Sequence, residues 1–437
     1  MALLIVVVFI LGYTLIALEH PLKIDKAASA LLTGVFCWTI LVFGIETMPV
    51  YGAELSGDPQ AFLHDSLSEH LSNVSEILFF LLGAMTIVEL VDVHDGFRII
   101  TDRIQTTSRV KLLWIIAWVA FFLSSVLDNM TTAIIMCALL RKMVRKHDDL
   151  WFFGGFVIIA ANAGGAWSPI GDVTTIMLWI GGQVTTLEIM GNTIFVSMVS
   201  LLAPLAVATV VLQRRHGKSE LAKVDLAEGN NSSPLERKLL FILGVAALLF
   251  VPVFKTVTHM PPYMGILFGV GILWYVTEFL HRGDPPQQRH ERTVAAILHR
   301  IDTPAILFFL GILLAVGALE SSGHLHLLSE SLDRHFGNIY LINTLIGLLS
   351  AVVDNVPLVA ASMGMYKMTE FPPNHDFWNL LAYCAGTGGS ILIIGSAAGV
   401  ASMGILKVDF LWYMKRITPY AAIGYFAGVV VYFLLHF

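Results

Sequence analysis

The sequence predicts an all-α polytopic membrane protein built as two inverted repeats, each of five transmembrane helices plus one re-entrant hairpin, with broken helices at mid-membrane. Three observations carry this. Of the 437 residues 56% are apolar and only 13% charged, with a mean hydropathy of +0.76; a water-soluble domain carries about 25% charged residues. Basic residues fall almost wholly into one set of connecting segments. Three short motifs in the first half return, in order, in the second.

Apolar runs able to cross a hydrocarbon layer of about 30 Å, which takes about 20 helical residues, occupy roughly 1–18, 27–45, 74–91, 193–212, 237–255, 263–280, 304–320 and 417–436. The first 18 residues carry no charge, so the basic stretch of a secretory signal is missing there and the segment reads as a first transmembrane helix. Four further regions, 112–140, 151–182, 339–366 and 377–408, are apolar but interrupted by polar residues, Gly and Pro. If 112–140 and 339–366 each dip in and return while the other two cross once, 23 of the 26 Lys and Arg share one face, leaving Lys255, Arg334 and Lys367 on the other. The positive-inside rule puts the crowded face in the cytoplasm and both termini outside. A single crossing at either hairpin would mix the two populations.

Residues 1–212 and 237–437 then each hold five spans and one hairpin, an odd number, so the halves are inverted; 213–236 is a polar linker between them, expected on the cytoplasmic side. The echoes are "ILFFLLG" (77–83) against "ILFFLG" (306–311), each followed by a glutamate, Glu89 and Glu320; Asp128-Asn129 against Asp354-Asn355; and "AGGAWSPIG" (163–171) against "TGGSILIIG" (387–395). Inverted repeats with a binding site at their interface are a transporter signature.

The chemistry is expected at the interruptions. Non-helical backbone at membrane depth persists only where protein or a wet cavity satisfies it, and an Asp there costs about 2.5–3.5 kcal/mol on insertion scales. Asp128 and Asp354 could serve simply as N-caps of restarting helices. Capping alone leaves the duplicated acid unexplained, so each Asp-Asn pair is read as a hairpin tip facing a midplane cavity. In "NAGGAWSPIGDVTT" (162–175), Gly164, Gly165, Pro169 and Gly171 unwind a span, and Asn162, Asp172, Thr174 and Thr175 gather at the break. In the second half Ser396 stands where the first has Asp172, so three acids, Asp128, Asp172 and Asp354, would share the site. Carboxylates with amide, hydroxyl and carbonyl oxygens, and no soft ligand, suit a hard cation. Burial disfavours charged carboxylates, and close neighbours cannot all ionise together. One site then has two competing occupants, a metal ion and protons.

In the order of these motifs, Asp-Asn in a first hairpin, "NAGGAWSPIGDVTT" in a broken helix and "SAVVDN" (350–355) in a second, the chain resembles NhaD-type sodium/proton antiporters of the ion-transporter superfamily over essentially its whole length. The resemblance implies expulsion of Na⁺ or Li⁺ in exchange for H⁺ across the inner (cytoplasmic) membrane. It ties function to Asp128, Asn129, Asn162, Asp172, Thr174, Thr175, Ser350, Asp354 and Asn355, with Ser390 and Ser396. It also implies a homodimer with an elevator-like motion. No resident cofactor is expected, only transported Na⁺ and H⁺, and no partner beyond these ions, the bilayer and a second copy; nucleic acid is not expected.

A channel is a further reading, but inverted repeats with broken helices favour alternating access. Anion carriers of the same architecture place Ser-Asn-Thr at their hairpin tips, where this chain has acids. An intramembrane aspartyl protease calls for GxGD, but the local sequence is Pro169-Ile170-Gly171-Asp172. Glu89 and Glu320 are read as interfacial, His64, His70 and His94 as solvated loop residues, Trp151 and Trp412 as interface anchors. Cys37, Cys137 and Cys384, without metal-binding spacing, are read as small core residues.

Overall fold

A computed structural model of the chain describes residues 1–48, 58–104, 106–216, 233–283 and 292–436. Among these residues there is no strand. The first half runs α1 (Ala2–Ala17), α2 (Lys26–Gly44), α3 (Pro59–Val93), α4 (Arg109–Leu127), α5 (Asn129–Met143), α6 (His147–Gly165), α7 (Val173–Ile180) and α8 (Thr186–His216). The second runs α9 (Pro234–Thr258), α10 (Pro262–Leu280), α11 (Thr303–Ser321), α12 (His324–Phe336), α13 (Ile339–Leu349), α14 (Asn355–Met365), α15 (Asp376–Gly388), α16 (Ala397–Leu406), α17 (Phe410–Arg416) and α18 (Thr418–His436). Eight described helices, α2, α3, α4, α8, α9, α10, α11 and α18, are long and apolar enough to cross a membrane, so the chain is a polytopic membrane protein. Most of the 213–236 linker, residues 217–232, lies outside the described residues, as does 284–291, part of the basic segment 281–303 that was expected to be a cytoplasmic loop.

Helix starts follow from capping chemistry. Asp25, Asp58, Ser108, Asp128, Asp172, Ser233, Asp302, Asn338, Asp354, Ser396 and Asp409 each accept a backbone N–H from the first turn they precede. Each satisfies a donor that the helix itself cannot. Asp58 followed by Pro59 starts α3 well before its apolar run, giving a 35-residue helix. This corrects the reading of His64 and His70 as loop residues. Both lie in α3, and His70 Nε2 is 3.0 Å from Ser321 Oγ of α11. His94, read as solvated, is fully buried. The amphipathic α12 was not anticipated, since hydropathy windows see only apolar runs.

Contacts between helix ends sort them into two sets. Arg109, opening α4, pairs with Asp149 of α6 at 2.8 Å. Only residues 144–146 separate α5 from α6, so the α4–α5 unit returns to the end it left. At the opposite end, Tyr366, just past α14, donates to Asp333 of α12 at 3.3 Å, and α13 starts six residues after Asp333. α4 is long enough to cross by itself, unlike a half-depth arm, but its first turn carries Arg109 and Lys111.

Equivalent residues of the two halves make equivalent contacts. Ser124 Oγ donates to the Ala161 carbonyl at 2.6 Å and Ser350 Oγ to the Ala385 carbonyl at 2.9 Å. A Cβ on Gly164 would strike the Phe121 carbonyl, and one on Gly388 the Gly347 carbonyl; glycine is what lets α6 touch α4, and α15 touch α13, backbone to backbone. Asp172 and Ser396 cap their half-helices in nearly the same conformation, φ −148°, ψ 148° and φ −143°, ψ 153°. Gly83 of α3 abuts Ile266 of α10, and Gly311 of α11 abuts Ala30 of α2. The halves are therefore interlaced, each lending its third helix to the other's second.

The core divides accordingly. One apolar cluster joins α1–α3 with α9–α11, and α7 and α14 pack on it; a second joins α4–α6 with α8, α16, α17 and α18. The three cysteines are buried free thiols, as read from the sequence, Cys37 in the first cluster, Cys137 in the second and Cys384 in a smaller third one with Tyr383, Tyr425 and Tyr432. Trp151 donates to the Leu406 carbonyl at 3.0 Å and meets Trp412 edge to face.

Candidate ion-binding site

A cavity of about 380 Å³ opens on the face of the first cluster, where the breaks of both halves meet it. Its walls are α3 and α11 on one side and, on the other, the Asp128 and Asp354 breaks, the start of α7 and the first turns of α16. It reaches Glu19, Asp25 and Lys26 ahead of and at the start of α2, Glu89 and Asp92 near the end of α3, and Arg300 and Asp302 before α11. Among the described lining residues, eight carboxylates stand against two basic groups, Lys26 and Arg300.

Asp172 is the inner focus. Its side chain is 1% exposed. Oδ1 accepts from Thr174 N and Thr174 Oγ1, both at 2.9 Å, and from Asn355 Nδ2 at 3.3 Å; Oδ2 accepts from Asn129 Nδ2 at 2.5 Å. One asparagine from each Asp-Asn pair thus converges on one carboxylate. A carboxylate can only accept, which fixes both amide orientations. Asn129 gives its second hydrogen to Asn162 Oδ1 at 3.1 Å, and Asn162 donates to Ser390 Oγ and Ser396 Oγ, both at 2.9 Å. Both amide groups thus spend their two hydrogens within this chain, with an anion at one end and two hydroxyls of the other half at its far end.

The remaining residues divide into lining and supporting groups. Asp128 and Asp354 line the same cavity as Asp172. Thr131 N and Oγ1, each at 2.8 Å, hold the two oxygens of Asp128. Asp128 has φ 105° and ψ 162°, a region costly for anything but glycine, of the kind that clusters at functional sites. Asp354, by contrast, is ordinary in backbone and ion-paired with Lys26 at 3.3 Å. Thr175 closes the capping box on Asp172, receiving its N–H at 3.2 Å. Thr175, Ser350, Ser390, Ser396 and Asn162 stand behind the cavity wall.

Sequence reasoning missed Lys26, Thr131, Asp92 and Arg300, and placed Glu89 at the interface whereas it lines the cavity. Lys26 counted only as a positive-inside charge. The signal available was its position, next to the Asp25 cap at the mouth of an apolar run. Its Nζ also lies 4.3 Å from the centroid of Phe308.

A citrate-transporter family model matches residues 6–378. The chain is 47% identical over 428 residues to "Sodium/proton antiporter 1" of Arabidopsis thaliana, covering 98% of this chain and 71% of that protein. It is 44% identical to "Sodium/proton antiporter 2" of the same plant, over 98% of both chains. With "Na(+)/H(+) antiporter NhaD" of Vibrio cholerae it shares 31% identity over 98% of this chain and 91% of that one. Family and relatives are transporters, not enzymes, which disposes of the protease reading. The chain belongs to the family that its family model describes as citrate transporters, and within it to the NhaD-type sodium/proton antiporters.

Proposed function

We propose that the protein exchanges Na⁺ for H⁺ across the inner membrane by alternating access, with Asp128, Asp172 and Asp354 as the acids that cation and protons share. The observation that carries this reading is the cavity's charge, eight carboxylates to two basic groups, ending on a carboxylate that both Asp-Asn pairs address. Such a lining attracts a hard cation and repels an anion, so the anion-carrier alternative is not favoured, although the family's description names an anion. Asn129, Asn162, Thr174, Thr175, Ser350, Asn355, Ser390 and Ser396 orient these acids or offer oxygens to the ion. Li⁺, with the same charge and ligand preference, is a second cargo, and no resident cofactor takes part in exchange.

The matched contacts of the two halves support the inverted-repeat arrangement of 1–212 and 237–437, joined by the 213–236 linker. The charge count then makes the cavity mouth cytoplasmic and sets both termini outside. In this orientation the cavity is inward-open. The body that carries the two Asp-Asn breaks and the two broken helices moves against the rest in an elevator-like way, and the protein acts as a homodimer. In the cycle, the cluster takes protons from outside and turns inward. There a cytoplasmic Na⁺ displaces the amide hydrogens of Asn129 and Asn355 from Asp172 and expels the protons, and the loaded site turns back. Purified protein in proteoliposomes with pH and membrane potential set independently tests this. Na⁺-driven H⁺ flux is expected, and flux driven instead by an anion with no Na⁺ requirement would refute it.

A further inference from the structure

Outside the cavity, three segments remote in sequence bring nitrogen and oxygen donors together. His94 follows the last turn of α3, Glu236 lies in the first turn of α9, and His281 follows α10. His94 Nε2 is 3.1 Å from His281 Nε2, and Glu236 Oε1 lies 3.7 Å from the first nitrogen and 3.4 Å from the second. Both imidazoles are buried and Glu236 is largely so. Four-coordinate zinc holds nitrogen and oxygen ligands at about 2.0–2.1 Å, which spaces neighbouring ligands by about 3.3–3.4 Å. The three observed separations bracket that value.

The hydrogen bonding points the same way. His94 Nδ1 lies 2.8 Å from the Leu90 carbonyl. A carbonyl only accepts, so Nδ1 carries the hydrogen and, in the neutral ring, Nε2 presents a lone pair. A metal-binding histidine is typically oriented in this way, its other ring N–H given to a backbone carbonyl. Glu236 Oε1 is buried with no hydrogen-bond partner. Arg292 Nη1, 3.8 Å from that oxygen, balances its charge without occupying a lone pair.

We propose that His94, Glu236 and His281 form a site for one divalent transition-metal cation of the zinc type, which clamps the ends of α3, α9 and α10 together. Two imidazoles and a carboxylate select such an ion over Na⁺, whose preferred ligands are oxygens. The site is separate from the transport acids, though His94 is only two residues beyond Asp92 at the cavity wall, and it stands whatever the cargo is.

Purified full-length protein, stripped with chelator and titrated with Co²⁺, tests it. One Co²⁺ per chain is expected, with the visible absorption of four-coordinate cobalt and displacement by Zn²⁺. Losing a second-shell partner already costs about 10–100-fold in metal affinity. Losing a ligand in His94→Gln, His281→Gln or Glu236→Gln is therefore expected to weaken binding about 100-fold or more, while exposed His299→Gln leaves it unchanged. Zn²⁺ should raise the melting temperature of the parent and not of the nearly isosteric Glu236→Gln. Absence of the cobalt spectrum in the parent protein, as when His281 simply donates a hydrogen bond to His94, overturns the proposal; so does equal affinity in the parent and Glu236→Gln.

Discussion

Replacing Asp172 by asparagine removes one charge and almost no volume. Asparagine is as good an N-cap as aspartate, so Oδ1 can keep the bonds from Thr174 N and Oγ1 at 2.9 Å that start α7. The other end of the new amide is an NH₂ facing the NH₂ of Asn129, which now donates to Asp172. Asn129 must turn its oxygen inward, and its bond to Asn162 is then lost. At about one net hydrogen bond, this costs about 1 kcal/mol of stability, leaving a folded protein. The loss to the cation is larger. A unit charge about 4 Å away is worth about 4 kcal/mol at an effective dielectric of 20, roughly a thousandfold in affinity. In proteoliposomes the variant should run no Na⁺-dependent proton flux at Na⁺ concentrations that saturate the parent, with its melting temperature shifted only a few degrees. Undiminished exchange would refute the placing of Asp172 at the site's centre.

Other perturbations test the surroundings. Lys26→Gln frees Asp354 from its ion pair and should lower the Na⁺ concentration for half-maximal exchange about fivefold, taking the pair as worth about 1 kcal/mol; an unchanged or raised value argues against competition between Lys26 and the ion. Asn162→Ala strips three buried hydrogen bonds and should cost about 3 kcal/mol of stability, read as a clear drop in the melting temperature of solubilised protein. Gly164→Val forces a side chain into the Phe121 backbone and should abolish folded protein on size-exclusion chromatography. Gly191→Ala, with open space at its Cβ, should leave both folding and exchange unchanged.

Much of this architecture is written in local signals. The breaks at 128, 166–172, 350–354 and 389–396 fall where Asp, Asn, Gly and Pro interrupt apolar runs, because capping and unwinding are short-range effects. The same residues announce the site, since an acid in an oily segment has few structural excuses. Contacts made by packing were not legible. Lys26 looks like one more surface cation until α2 and the second Asp-Asn pair are placed side by side. His94, Glu236 and His281 are 142 and 45 positions apart along the chain, a spacing that no metal motif resembles. Hydropathy also hid the polar beginning of α3 and all of α12, whose helices are set by caps and by a single apolar face. The interlacing of α2 with α11 and α3 with α10 depends on glycines that, in sequence, read only as permissive.

The central claim is that sodium and protons occupy one acidic pocket by turns. Adding Na⁺ to purified protein in weakly buffered solution, while recording both bound Na⁺ and released H⁺, measures it directly. Proton release that tracks Na⁺ binding, with Na⁺ affinity falling as the pH is lowered and both signals lost in Asp172→Asn, is the predicted result. Sodium binding at full affinity with no proton released, at any pH where the protein is folded, would contradict it.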